Sequence, residues 1–443
     1  MPEAVCSLRT TPASARRRTA SRIVFITLLL QVHAAWCAGL LSEVIRTRGE
    51  VLATSSQGYP AGATGDPLLL RSSRHACGNW HSRYARLHAR IRQEKRGRYM
   101  FHQCDEGQAD CFAGMVSALY LAIISKRAFF TGKYSYQYFF EGRSSGHLSA
   151  AFEQPFIDWD IPPDLFRKRF HESAHVMLQG MHASELSRRK IRKVYDMAMG
   201  KEEDAITIFS NAGILHHLFE IPGFRMRMEE RLGVSFEDAF GCALDFLFWP
   251  KNDFKYALEN EEILRSTVSK GNPVIGMHLR SGDAVFKTGR GLAKDFEEVR
   301  KMFRGAVNCV EDLQKHVVLQ HGVQAILLIL SDDMFVRRAM AQIFPDYVVV
   351  YNDVVKPEHT GPFQSSGISA QGLQTAAIEF WMFGATDYQI TSKSSGFGRA
   401  AAARTLPSKP MHMFVLEDYA KLQSCGPADE VSFQDLARLL PGL

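Results

Sequence analysis

The sequence predicts an α/β protein in which two Rossmann-like lobes face a cleft. Three observations carry this reading. Short apolar segments of strand composition alternate with helical segments around residues 99–132 and again over 273–402. Several of those strands end in polar loops rich in Gly and Ser, as carboxyl ends of an open parallel sheet do where ligands bind. The composition is ordinary, with 46% hydrophobic, 11% aromatic and 23% charged residues, which excludes disordered, collagen-like and coiled-coil chains. A length of 443 residues accommodates two or three domains, or one large two-lobed body.

The chain opens on a basic cytosolic tail, residues 1–21. Five arginines against one acid in residues 1–22 supply four of the six net positive charges. The body is therefore close to neutral, and no nucleic-acid partner is expected. Residues 22–41 are assigned as a transmembrane signal anchor. The nineteen-residue apolar run Ile23–Leu41, interrupted only by Thr27, Gln31 and His33, nearly spans a hydrocarbon core at about 1.5 Å per residue. Arginines before it favour a cytosolic N-terminus, giving a single-pass type II protein of the Golgi or ER membrane with a lumenal body. The alternative is a secreted protein, with Ile23–Leu30 as the core of a cleaved signal and Ala34, Ala35 and Ala38 as small residues near the cleavage point. Either route places Cys77, Cys104, Cys111, Cys242, Cys309 and Cys425 in an oxidising lumen, where these six thiols allow up to three bridges of open connectivity. There is no CxxC pair and no Asn-x-Ser/Thr sequon.

Residues 42–75 are rich in Gly, Ser, Thr and Ala and read as a flexible stem. An N-terminal lobe is assigned to 76–265 and a C-terminal lobe to 266–443. In the first, 79–98 reads as an amphipathic helix, Tyr99–His102 as a strand, Asp105–Asp110 as a loop, FAGMVSALYLAIIS as an apolar helix and RAFFTG as a strand, the βαβ order. The middle, 165–265, reads as mostly helical, with SRRKIRK (187–193) on a solvated face. In the second lobe, strands are expected at Pro273–His278, Ala325–Leu330, Tyr347–Tyr351 and Asp387–Thr391. Helices are expected over 294–320, shortly after Asp333, over 370–384 and at RAAAA.

The sharpest local feature is His278-Leu279-Arg280-Ser281-Gly282-Asp283. Strand alternation puts His278 and Arg280 on one side, and an Arg fork there suits a phosphate oxygen. Asp283 would orient Arg280 or its loop; a purely structural ion pair is the competing reading. In the stretch from Thr391 to Arg399, small hydroxyl residues and glycines lie between a strand and a helix N-terminus. That composition makes either an anion cradle or a simple helix cap, and no Walker A loop. Asp332 and Asp333 are Mg²⁺ ligand candidates, but a helix cap opening Met334–Met340 is favoured. His171-Glu172-Ser173-Ala174-His175 matches HExxH. On a helix, both His would share a face for zinc with Glu172 as base, completed by Glu185, Glu202 or Glu203. Arg167, Lys168 and Arg169 just before it argue for an ordinary surface helix.

With these residues in hand, the chain resembles the α1,2/α1,6/protein O-fucosyltransferase superfamily over about residues 100–410, the middle excepted. EGQADCFAGMVSALYLAIISKRAFF (106–130) is similar to the family's first loop and helix, and FIDW (156–159) recurs in some members. GMHLRSGD (276–283) resembles the HxRxxD motif, and EFWMFGATDYQITSKSSGFGRAAA (379–402) resembles the third motif with its Ser-Ser phosphate loop. The resemblance implies a GT-B-like fold and an inverting, metal-independent transfer of fucose from GDP-fucose to a glycan or glycoprotein acceptor. It implies that Arg280 binds the β-phosphate, that His278 and Asp387 contact guanine or ribose, and that Ser394 and Ser395 hold phosphate oxygens. It makes Gly107 a substrate-binding residue of the first loop, on the acceptor-side lobe, and Glu106 the candidate catalytic base. The sequence departs from the pattern at Cys111, where members frequently carry Arg; Cys104 or Cys111 is a candidate for a bridge in that loop.

Two alternatives stand beside this expectation. One is a catalytically inactive relative that binds a nucleotide sugar or glycan, motivated by Cys111. The other is an HExxH zinc metalloprotease.

Overall fold

The structure, a computed structural model, describes residues 77–104, 107–132, 148–162, 165, 168–169, 172–178, 187–251, 272–281, 293, 295–351, 370–393, 395–404, 412–433 and 435–436. The anchor at 22–41 and the stem at 42–75 lie outside the described residues.

Helix α1 (His81–Glu94) leads into β1 (Tyr99–Gln103), a strand buried along its whole length. A strand with no polar face needs cover on both sides, which a central position in a parallel sheet provides. It has β2 (Ala128–Gly132) on one side and β4 (Ala205–Phe209) on the other, with β3 (Ala174–Met177) beyond β4, all parallel. The order is β2-β1-β4-β3. Between β1 and β2 runs α2 (Gln108–Ser125), apolar around its whole circumference. It is long and apolar enough to cross a membrane, yet 83% of it is buried in the fold, so it is a core helix.

The middle of the chain is not mostly helical. β3 and β4 lie within it and complete the first sheet. AITIF is a short β-branched strand set between polar residues, a signal easily lost beside the stronger helices around it. Those helices are α3 (Arg188–Met199), α4 (Leu215–Phe219), α5 (Pro222–Met226), which continues into a π-helical turn at Arg227–Leu232, and α6 (Phe236–Leu247). The Ser187 side chain caps α3, and SRRKIRK forms a largely solvated face with Arg192 paired to Asp196 at 3.0 Å.

The second sheet holds β5 (Val274–Leu279), β6 (Ile326–Ser331), β7 (Val349–Tyr351), β8 (Tyr388–Ser392) and β9 (His412–Leu416). All pairs are parallel, in the order β9-β8-β5-β6-β7. Ile275, Met277 and Leu279 face a core shared with α7 (Phe296–Met302), α8 (Arg304–His321) and α9 (Met334–Ile343). The alternate positions face α10 (Ala370–Gly384) and α11 (Gly396–Ala403). The helix expected over 294–320 is broken at Phe303, where Gly305 lets the backbone close on another segment. Its N–H donates to the Tyr419 carbonyl at 2.6 Å, and a Cβ there would lie 2.1 Å from the Lys421 oxygen.

Three disulfides form: Cys77–Cys242, Cys104–Cys111 and Cys309–Cys425. The lobes share a core across their junction. Phe112 of α2 packs against Phe380 and Trp381 of α10. Arg404, at the end of α11, is buried against Asp245 of α6 at 2.9 Å and lies 4.9 Å above the Trp381 ring.

Candidate active site

In an open parallel sheet the connections cover both neighbours of a strand except where the strand order reverses, and a crevice opens there. In the second sheet the chain runs from β5 to β6 and β7 in one direction, whereas β8 and β9 lie on the other side. The reversal falls between β5 and β8. In the first sheet it falls between β1 and β4. The carboxyl ends of β5, β8 and β1 are therefore where a ligand site is geometrically available.

β5 delivers His278 and Arg280 to this place. The His278 ring is buried, stacks on Phe397 at 5.1 Å between centroids, and its Nδ1 lies 3.1 Å from Ser395 Oγ. Burial, aided by the Arg280 and Arg337 cations, pushes its pKa down to about 3, so the imidazole is neutral. Arg280 is partly exposed at the crevice, its Nε 3.5 Å from Asp332 Oδ2. The other Asp332 oxygen accepts from the Ser281 N–H at 2.7 Å. Tyr419 donates its hydroxyl proton to the His278 carbonyl at 2.6 Å and accepts from the Arg280 N–H at 3.3 Å. Burial pushes that phenol up to about 12, so it stays a donor. The turn carrying Arg280 is thus held from two sides.

β8 ends at Ser392, and α11 begins four residues later. Ser395 is its N-cap, accepting from the Gly398 N–H at 3.3 Å. Gly398 permits the close approach: a Cβ there would lie 2.2 Å from Thr391 Oγ1 and 3.1 Å from His278 Nδ1. The N-terminus of α11 carries a positive partial charge toward the crevice. Arg399 on its first turn is buried and donates from Nε to the Ser395 carbonyl at 3.1 Å. Burial lowers its pKa, and the charge of Asp110 partly offsets this.

Asp110 comes from the other lobe. Gly107 is the N-cap of α2, its carbonyl accepting from the Cys111 N–H at 3.0 Å, and the Cys104–Cys111 bridge closes the loop around it. A Cβ on Gly396 would sit 3.2 Å from Asp110 Oδ1. The two helix N-termini, and so the two reversal points, adjoin.

Of the residues singled out by sequence, the structure gathers Arg280, His278, Ser395 and Gly107 around this crevice. Glu106, Asp283 and Ser394 lie outside the described residues. Asp387 is corrected. It precedes β8 at the opposite, amino end of the sheet, where its Oδ2 accepts from the Val274 N–H at 2.8 Å. All strands of a parallel sheet start at that end, one strand length from the crevice, so this carboxylate ties two strand starts together and does not meet a nucleotide there. The HExxH reading is corrected as well. Ala174–Met177 is a strand, so the helical spacing that would put both His on one face is lost at His175; His171 lies outside the described residues. Asp333 caps α9, accepting from the Phe335 N–H at 2.9 Å, and Asp332 anchors the Arg280 turn, so both carboxylates have structural work. A His216–His217–Glu220 group has metal-ligand spacing among the described residues, but on the surface of the first lobe, with Glu220 also 3.1 Å from Arg188. Tyr419 was not anticipated, and Arg399, the last residue of the stretch singled out from Thr391, had no role of its own in that reading. No local pattern announces Tyr419, which arrives from 139 residues beyond Arg280.

No protein-family profile and no curated protein matches the sequence. Solved structures do match in fold. Arabidopsis thaliana FUT1, as an arginine-to-lysine mutant in complex with GDP, superposes with a TM-score of 0.53 at 14% identity, over 82% of this chain and 85% of that one. The Bradyrhizobium NodZ alpha-1,6-fucosyltransferase soaked with GDP-fucose gives 0.43 at 14% identity, over 73% and 96%. The likeness to the Arabidopsis structure and the two parallel sheets give the chain the two-lobed, GT-B-like α/β architecture, with a sheet on either side of the crevice.

Proposed function

We propose that this protein is a glycosyltransferase that moves fucose from GDP-fucose to a hydroxyl of a glycan or protein, with inversion and without a metal, in the lumen of the secretory pathway. The observation that carries the reading is the convergence of an arginine fork, a neutral histidine and a helix N-terminus at the β5/β8 reversal. A similar fold holds GDP in the Arabidopsis protein.

Breaking the bond between fucose and GDP leaves a diphosphate anion. Fixed positive charge aimed at that anion lowers the barrier without reorganisation during the reaction. Arg280 is the donor placed for the β-phosphate, and the unsatisfied N–H groups of the first turn of α11 add to it. Ser395, and Ser394 beside it, are assigned to phosphate oxygens. His278, neutral and fixed by Phe397 and Ser395, is a hydrogen-bonding group for the nucleoside, not a second cation. Glu106, between the bridged Cys104 and Cys111 in sequence, is assigned to take the acceptor proton. The acceptor and the membrane anchor are part of the proposal.

A second reading, a binding protein without turnover, is favoured by one observation. Cys111 is tied into a disulfide, so no cation stands at the position where relatives frequently place one.

Calorimetric titration of the full-length chain with GDP, UDP and GDP-fucose, with EDTA present, tests the proposal. GDP release from GDP-fucose is then followed over time. GDP-selective binding with slow release is expected, and Arg280→Ala is expected to lose both. An Arg280→Ala variant that keeps more than about a tenth of the activity, a loss under about 1.4 kcal/mol, would remove Arg280 from its role. Binding without release, with glycan and peptide acceptors supplied, selects the second reading. Absence of nucleotide binding sinks both.

A further inference from the structure

A cleft of about 900 Å³ opens in the first lobe at the end away from the crevice. It lies between α1, the C-terminal end of α2 and the π-helical turn that follows α5. Helix α2 starts at the crevice and runs back along the sheet. Its last residues therefore reach the amino ends of the strands, and the cleft is separate from the site already described.

Its charge is one-sided. Arg83, Arg86 and Arg90 recur along one stripe of α1. Arg227 and Arg231 face them, with Lys126 at the end of α2. No acid lines the cleft, and among the described residues none of these six cations is paired with a carboxylate. The wide π turn brings residues four apart nearly into line, so Arg227 and Arg231 stand one above the other. Arg227 Nε is buried and has no hydrogen-bond partner among the described residues. Between the two rows lie Leu87, Ile123, Ile124 and Leu232, an apolar floor. The walls are fixed relative to each other. The Cys77–Cys242 bridge anchors the chain entering α1, and Gly78 packs so tightly on Leu232 that a Cβ would lie 1.9 Å from its carbonyl.

We propose that this cleft binds a linear sulfated oligosaccharide, a second saccharide site independent of the fucosyl-transfer reading. Guanidinium forks pair bidentately with sulfate oxygens, and five of the six cations are arginines. The arginine row on α1 spans about 10 Å, seven residues at 1.5 Å each, which suits sulfates repeated along a short chain. The apolar floor suits the C–H faces of pyranose rings between the charges. Competing polyanions fit worse. An acidic peptide also offers anions to an arginine cluster, but it brings no pyranose C–H faces to the apolar floor, and it is one of the comparison ligands below. A single nucleic-acid strand needs aromatic platforms, and the one aromatic lining the cleft, Tyr84, is 3% exposed with its hydroxyl donated to the Arg127 carbonyl. A bilayer surface cannot enter a concave site.

The test is calorimetry on the full-length chain at 0.15 M NaCl with a heparin-derived hexasaccharide. Its desulfated form, poly-glutamate, a hexanucleotide and anionic phosphatidylserine vesicles are the comparison ligands. The paired substitution Arg86→Glu with Arg231→Glu is expected to weaken hexasaccharide binding at least tenfold. Arg189→Glu with Lys193→Glu, the same charge change on the exposed face of α3, should weaken it less than threefold. Arg86→Ala with Arg231→Ala gives a milder loss and guards against a folding defect, checked by thermal melting. The proposal is overturned if the hexasaccharide does not bind, or if both charge-reversed pairs lose equally, which would mean diffuse attraction. It is also overturned if the desulfated sugar, poly-glutamate, the nucleotide or the vesicles bind as tightly. Because the readout is saccharide binding alone, failure here leaves the GDP-fucose reading untouched, and the reverse holds.

Discussion

The two lobes present the same geometric opportunity and use it differently. Each has a parallel sheet whose strand order reverses once, with a buried strand ending at the reversal. In the second lobe the strand end carries Arg280 and is held non-covalently, by Tyr419 and Asp332. In the first lobe the corresponding loop is closed covalently by Cys104–Cys111 and carries no described cation. The difference teaches that one strand end presents a cation on a turn held by hydrogen bonds, whereas the other is locked by a covalent bridge. Division of labour between a donor-holding and an acceptor-facing lobe follows from that contrast under the proposed function.

The severest way to break the comparison is to remove the tie between the lobes. Arg404→Ala leaves the Asp245 carboxylate buried without its partner and is expected to cost about 3–5 kcal/mol, read as a shift in chemical unfolding midpoint. Next comes the covalent wall. Replacing Cys104 and Cys111 together by Ser frees a loop of eight residues and should lower stability by about 2–3 kcal/mol, while GDP affinity changes less than twofold. A large loss of GDP affinity would show that the first lobe shares in holding the donor. Tyr419→Phe tests the non-covalent wall. It removes the hydroxyl that positions the Arg280 turn and should cost about 1.4 kcal/mol, or tenfold, in turnover, with melting nearly unchanged. A drop in melting with unchanged turnover would reduce Tyr419 to a packing residue.

A pH test sharpens a similarity. Each lobe buries a neutral histidine near its strand end: His278, and His102, whose Nε2 lies 3.1 Å from the Ser210 carbonyl. Burial lowers them to about 3 and about 4, against 6.5 in the unfolded chain. Below 6.5 the unfolded state binds more protons, so stability present at pH 7 is lost as the pH falls toward 4. With His88, also lowered to about 4 by burial, the melting temperature should fall by roughly 5–10 °C between pH 7.5 and pH 5. A flat profile would mean that these rings take up protons in the folded chain.

Much of this was legible in the residues. β5, β6 and β8 announce themselves as apolar runs ending in polar residues, and α2 and α10 as long apolar helices. His278, Arg280 and Ser395 could be singled out because strand alternation and helix capping are local rules. Asp387 was misplaced because a resemblance overrode position: a residue before a strand sits at the end away from the crevice. β3, β4 and β9 were missed, each a run of four or five residues with little periodicity of its own.

The sequence by itself determined most of the segments that become strands and helices, which strands end in chemistry-bearing residues, and that six body cysteines were available. These depend on propensity, alternation and counting over a few neighbouring residues. The tertiary structure alone decided the strand order, and with it the two reversal points. It decided which cysteine meets which, that Tyr419 and Asp332 reach Arg280 from 139 and 52 residues away, and that two rows of arginine face each other across a cleft. The physical reason is that these are long-range contacts. They are selected by the need to bury both faces of each sheet and to satisfy the polar groups at strand ends, and that selection acts on the whole fold at once.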